Sequence, residues 1–173
     1  MNPDILHSKL INRIFASGIA VFFSAARLGE KHAGMNIEIV DGQSARLYEL
    51  VAPLVMKRSV LHYNHDYPFW TSSNHTWFIA LDEQEKVCGF FPLEVNLAKK
   101  TAKINNYYMA GKETDVFPGL IQAVVDFCRK KYTLQAVAQM QHKALFTKAG
   151  FHIVVKEWKL YVKLEYGRKK RQA

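Results

Sequence analysis

The chain has little cysteine: Cys88 and Cys128 are the only two in 173 residues. Neither stands in a CxxC or a Cys/His ligand spacing, so nothing in the sequence points to structural zinc. Two cysteines are also too few for a disulfide scaffold. Both fall in apolar runs, which predicts buried thiols. Proline and glycine are sparse, at 5 and 9 residues. No Pro/Gly/Ser-rich linker and no internal repeat divides the chain. No apolar run reaches the roughly 18–20 residues of a spanning helix.

What is present suits one globular domain. The hydrophobic fraction is 49% and the charged fraction 23%, ordinary values that exclude a disordered chain, a collagen-like chain or a rod. The net charge of +9 makes acidic partners plausible: nucleic acid, phosphorylated cofactors or a membrane surface. Its distribution is uneven. Residues 168–171 supply four of the positive charges and residues 1–34 a net two, which leaves a net +3 on residues 35–167.

The longest apolar stretch covers residues 14–26, behind Lys9 and Arg13 and ending in Ser24-Ala25-Ala26. It resembles a signal peptide. An extra amphipathic helix, or a true start at Met35, are the favoured alternatives, because residues 36–40 alternate like the opening strand of a domain. The predicted organisation is a leader or extra helix over 1–34, one domain over 35–166 and a basic tail over 167–173.

Within the domain, residues 36–40 read as a strand and 43–58 as a helix that Pro53 kinks or splits. Residues 59–74 are polar and aromatic without a period. Strands follow over 76–81 and 87–95, with a bulge or bend expected near Gly89 or Pro92, and over 102–109. Asp115 is placed to cap a helix over 116–131. A strand over 134–138, a short helix over 142–149 ended by Gly150, and strands over 151–158 and 160–164 complete the chain. The order is β-α-β-β-β-α-β-α-β-β, a mixed α/β fold.

This order resembles the GNAT superfamily, the N-acetyltransferase-like fold, over roughly residues 36–165. The most specific local match is Ala144-Leu145-Phe146-Thr147-Lys148-Ala149-Gly150-Phe151. The hairpin Trp77-Phe78-Ile79-Ala80-Leu81 with Val87-Cys88-Gly89-Phe90-Phe91 is a second. The resemblance implies a central, mostly antiparallel twisted sheet of about six or seven strands flanked by helices. It also implies a cytoplasmic acyl-group transferase acting on an amine, with acetyl-coenzyme A or another acyl donor. Met109, Lys112, Thr114, Val116, Phe117 and Gln139 are the implied donor-binding positions.

Two departures stand out. The family's glycine-rich loop before the central helix, which holds the donor's pyrophosphate on its amides, is here Gly111-Lys112-Glu113-Thr114-Asp115, with the later glycines missing. Glu113 and Asp115 would repel a close pyrophosphate. Phe146 stands where many members have a tyrosine that protonates the leaving thiolate, and phenylalanine has no proton to give.

The resemblance implies that the substrate's nucleophile sits near the splayed central strands, a region lined here by Asn105, Asn106, Tyr107, Tyr108, Met109 and Glu94. The candidate catalytic residues are Glu94 as general base, Tyr108 as the cleft-facing member of the Tyr107-Tyr108 pair, Asp115 at the end of the central strand, and His65. His62-x-x-His65-Asp66 carries acid–base or ligand chemistry, but no strong metal signature. A solvated Glu94, a plain N-cap at Asp115 and a packed aromatic loop over 62–70 are the competing structural readings. His142 is expected to be a surface or capping residue. Two further functions stay open: a DNA base-modifying enzyme akin to the phage Mom family, using an unusual donor, and an inactive domain that binds DNA or RNA. Both draw on the basic tail and the aromatic loop.

Overall fold

The computed structural model describes residues 35–111, 113–155 and 158–167, with backbone only at 113–115. The expected leader, Lys112 and the basic residues 168–173 lie outside the described residues.

One sheet organises the chain. Its eight strands are β1 (Asn36–Asp41), β2 (His75–Leu81), β3 (Val87–Asn96), β4 (Thr101–Ile104), β5 (Tyr108–Met109), β6 (Thr133–Gln139), β7 (Phe151–Ile153) and β8 (Tyr161–Tyr166). The order is β1-β2-β3-β4-β6-β8-β7, with β5 paired to β3. Every pairing is antiparallel except β4 with β6. That parallel pair needs a crossover, and helix α3 (Glu113–Cys128) supplies it.

Alternation along the strands builds two cores, one on each face. Phe78, Ala80, Phe91, Leu93 and Ile104 face α3, whose Phe117, Leu120, Ile121, Val124 and Cys128 recur at helical spacing. Helix α4 (Lys143–Lys148) adds Phe146 to this side. Trp77, Ile79, Leu81 and Phe90 face the other way, onto Leu47 and Val51 of α1 (Ala45–Val55) and Val60 of α2 (Arg58–Tyr63). Ser44 caps α1, its side chain accepting from the Leu47 N–H at 3.2 Å. Pro53 lies in the last turns of α1, and a new helix starts at Arg58. The expected split is therefore there, because proline removes one helical donor and crowds the preceding turn. The carboxylate of Glu38, 3% exposed, is held by Arg46 through contacts of 3.1 and 3.2 Å.

Several expected boundaries are corrected. Among the described residues there are eight strands, because residues 102–109 form two short strands parted at Asn105–Tyr107. The stretch 59–74 begins inside α2. Asp115 is the third residue of α3, so it is not an N-cap before residue 116. The helix ends at Cys128, since Lys130 takes a φ of +63° and the left-handed region breaks a helix. Strand β7 stops at Ile153, well short of residue 158. The bulge falls beside Gly89: pairing passes from Ala80↔Gly89 to Leu81↔Val87 and skips Cys88. Cys128 is buried, which pushes its thiol up to about 12, whereas Cys88 is half-buried.

Gly89 makes room for β5. A Cβ there would lie 2.7 Å from Met109 Sδ and 2.9 Å from the Tyr108 carbonyl oxygen. Gly89→Ala is expected to lower stability by about 2 kcal/mol, read as a lower urea midpoint; an unchanged midpoint would mean that β5 yields freely.

Candidate functional site

The site begins where the parallel pair parts. β4 and β6 stay in register from Thr101↔Thr133 to Ile104↔Ala136. Asn105, Asn106 and Tyr107 then leave the ladder, and Tyr108–Met109 pairs with β3 alone. β6 continues to Gln139, paired with β8. Parting strands expose peptide groups that need other partners. Tyr107, 1% exposed, provides one. Its hydroxyl accepts from the Gln139 N–H at 2.9 Å and lies 2.9 Å from Nδ1 of His142. His142 is fully buried, not a surface residue. The rings of Phe91, Phe117 and Phe146 close around Tyr107 at 5.2–5.9 Å. The Gln139 side chain donates to the Tyr63 carbonyl at 2.8 Å and accepts from Gln141 Nε2 at 2.9 Å. Helix α2 is thereby tied to the end of β6.

A cleft of about 360 Å³ opens beside this wedge. Asn105 and Asn106 line it from the wedge, Val137 from β6 and Tyr161 from β8. Asn64, Tyr67 and Trp70 line it from the chain after α2. Burial, with the nearby Tyr67, raises the Tyr161 hydroxyl pKa. Asn105 Nδ2 donates to Glu94 Oε2 at 3.0 Å. Glu94 is half-buried and sits across from His75 in the β2–β3 register. His75 is 4% exposed, bonds Ser72 Oγ through Nδ1 at 2.9 Å and meets the Trp70 ring at 4.6 Å.

The sequence-derived candidates separate. Glu94 joins the cleft wall through Asn105. Gln139 sits at the end of the wedge. His65 is exposed at φ +52° and packs edge-on against Tyr161 at 5.4 Å. Tyr108 packs between Tyr63 and Phe90 at 5.3 and 5.6 Å and is not among the cleft-lining residues. Met109 and Phe117 are buried core residues and Val116 is half-buried. Thr114 and Asp115 lie in the first turn of α3. Among the described residues no group of three His, Cys, Asp or Glu gathers for a metal. His62 and Asp66 meet at 3.6 Å on the open surface. The sequence reading missed His75 and Tyr161, whereas Asn64, Tyr67 and Trp70 fall in the polar and aromatic loop over 62–70. The alternation of His75 with Trp77, Ile79 and Leu81 was the available signal for His75.

Two outcomes follow from this geometry. Tyr107→Phe leaves the buried Gln139 N–H and His142 without the hydroxyl, and is expected to lower stability by about 1–3 kcal/mol in urea denaturation. Burial lowers the His75 pKa below its usual 6.5, outweighing Glu94, which raises it. The unfolded chain then binds the proton more readily, so this contribution is full above the unfolded value and is lost as pH falls. Urea midpoints are expected to be higher at about pH 7.5 than at about pH 5.5, with a smaller difference in His75→Gln.

No protein-family model and no curated protein matches the sequence. Solved structures do match in shape. An acyl-CoA N-acyltransferase from Pseudomonas aeruginosa is 11% identical and aligns over 77% of this chain and 99% of its own, with a TM-score of 0.60. Tetrahymena GCN5 is 15% identical over 75% and 94%, with a TM-score of 0.59. A spermidine N-acetyltransferase from Vibrio cholerae, solved with CoA and spermine, is 14% identical over 75% and 93%, with a TM-score of 0.55. At such identities the likeness is one of architecture. With the strand order, the crossover helix and the parting of β4 from β6, it establishes that this chain has the GNAT fold.

Proposed function

We propose that the protein transfers an acyl group from a thioester donor, acetyl-coenzyme A or another acyl-coenzyme A, to an amine seated in the cleft. The parting of β4 and β6 beside a polar, aromatic cavity carries this reading. The amine lone pair attacks the thioester carbonyl carbon and a C–N bond forms. The C–S bond breaks with its electron pair on sulfur. Glu94 takes the proton that the nitrogen sheds, through one water at the Asn105 edge, and the thiolate is protonated from solvent. The donor lies on the side of Met109, Gln139 and the start of α3, with Val116 and the Phe117 backbone beside it; Lys112 and the Thr114 side chain, also implied for the donor, lie outside what the structure describes. Asp115 keeps this region less attractive to anions than a glycine-rich loop. Tyr108 acts by packing, and His65 stands at the outer rim through Tyr161.

A second reading is a domain of the same shape that binds without catalysing. Tyr107 already occupies the Gln139 N–H, and Phe146 has no hydroxyl. The DNA-modifying and nucleic-acid-binding versions draw on the aromatic loop, which lines the cleft, and on residues 168–171, outside the described residues.

Acyl-CoA is expected to raise the melting temperature by several degrees at concentrations well above its Kd, and Glu94→Gln to keep that rise while lowering kcat about 100-fold. No rise with acetyl-CoA or longer acyl-CoA, together with salt-sensitive DNA or RNA binding, would favour the binding domain.

A further inference from the structure

Three asparagines in the cleft all turn the same end of their amides inward. Asn64 Nδ2 donates to the Tyr67 carbonyl at 2.9 Å, Asn106 Nδ2 to the Pro68 carbonyl at 3.4 Å and Asn105 Nδ2 to the Glu94 carboxylate at 3.0 Å. All three partners are pure acceptors, so the amide orientations are chemically fixed. The three Oδ1 atoms accept no hydrogen bond from any described side chain or backbone group. Nor does any of them belong to the buried polar atoms that lack a partner, of which there are none among the described residues. They are therefore open to solvent. Asn64 and Asn106 are otherwise 3% and 8% exposed, so carbonyl oxygen is what they offer the cavity. The cleft thus presents acceptors, and it presents them between aromatic side chains: Trp70, Tyr67 and Tyr161.

We propose that the acceptor substrate is a planar aromatic amine, its N–H donors read by the amide oxygens and its ring stacked against Trp70 and Tyr67. This rests on the acyl-transfer reading above and narrows it. The lining holds no carboxylate. The adjacent one, Glu94, brings a single negative charge at the Asn105 edge, so the wall offers a polycation one counter-charge and no more. Aromatic amines are neutral near pH 7 and carry both a flat face and N–H donors. A cavity of about 360 Å³ holds a small ring system and lies near the lower end of ligand sites. The nitrogen needs no deprotonation before attack. It sheds its proton after the C–N bond forms, and the thioester sulfur leaves with the C–S electron pair.

The test incubates the full chain with acetyl-CoA and, in separate arms, p-anisidine, adenosine, spermidine and Nα-acetyl-lysine, with product read by mass spectrometry. Binding is read without donor, as quenching of tryptophan fluorescence by p-anisidine. The expected result is acetylation of p-anisidine or adenosine in preference to the alkylamines, the two arms separating free arylamines from nucleosides. Trp70→Ala, at a half-exposed position whose loss spares the core, is expected to raise KM about tenfold, the equivalent of one stacking contact. Product from the alkylamines alone overturns the aromatic assignment and leaves the acyl-transfer reading standing. Product in no arm, with saturable quenching that Trp70→Ala abolishes, sinks acyl transfer from acetyl-CoA and keeps the aromatic-amine cleft. No product and no saturable quenching overturns both.

Discussion

The bridge from the Tyr107 hydroxyl to the Gln139 N–H and the His142 ring is the constraint on which the site depends. A parallel strand pair that parts halfway along must satisfy the peptide groups it uncovers, or lose on the order of 1–3 kcal/mol for each one buried unpaired. Here one phenol spans the wedge and satisfies an amide that β4 no longer reaches. The rings of Phe91, Phe117 and Phe146 exclude water from it and fix its position. The strands can therefore stay apart at their ends while they remain paired from Thr101 to Ile104.

That bridge also separates the two sides of the sheet. Towards α3 and α4 the wedge is filled with aromatic rings. Towards α2 it opens into the cleft, which Asn105 and Asn106 line from the wedge. Gln139 serves both sides: its backbone is held by Tyr107, and its side chain holds the Tyr63 carbonyl at the end of α2. The chain after α2, with Asn64, Tyr67 and Trp70, thereby stands over the wedge. In the proposed acyl transfer, a donor that approached along β6 would meet an amide that already has an internal partner, and its binding free energy would have to offset that bond. This distinguishes the site from one in which parted strands offer bare peptide groups.

Much of the fold was legible in the sequence, and little of the site was. The α3 stripe and the short run from Phe146 to Gly150 follow from periodicity and a glycine C-terminus, which are local signals. The order of elements carried the architecture. Tyr107 and Tyr108 were indistinguishable, because alternation says that they face opposite sides but not which side is the cavity. The break after Ile104 depends on β3, which claims Tyr108–Met109 around Gly89, a pairing between residues about twenty apart. His142 looked like a surface residue at a helix start, and its burial comes from Tyr63, Tyr107 and Phe117, which reach it from 25 to 79 positions away. The position of Asn105 and Asn106 at the strand ends was legible, but the orientation of the amides was not, since it is set by the Tyr67 and Pro68 carbonyls and the Glu94 carboxylate.

On the proposed substrate reading, the orientation of those amides is what makes a polar pocket selective. An asparagine free to flip offers a donor or an acceptor as the ligand requires, and discriminates weakly. Once Nδ2 is bound to a carbonyl or carboxylate, flipping would set two acceptors against each other and lose a hydrogen bond. A ligand that lacks N–H or O–H donors would cover the exposed oxygens without replacing their water, at about 1–3 kcal/mol for each group left unpaired. Rejection by desolvation is the stronger part of such selectivity. Trp70 and Tyr67, both substantially exposed, supply flat apolar area but no directional information. On the proposed substrate reading, selection in this cleft resides in the three part-buried hydrogen bonds behind the asparagines, and the stacking surface sets affinity.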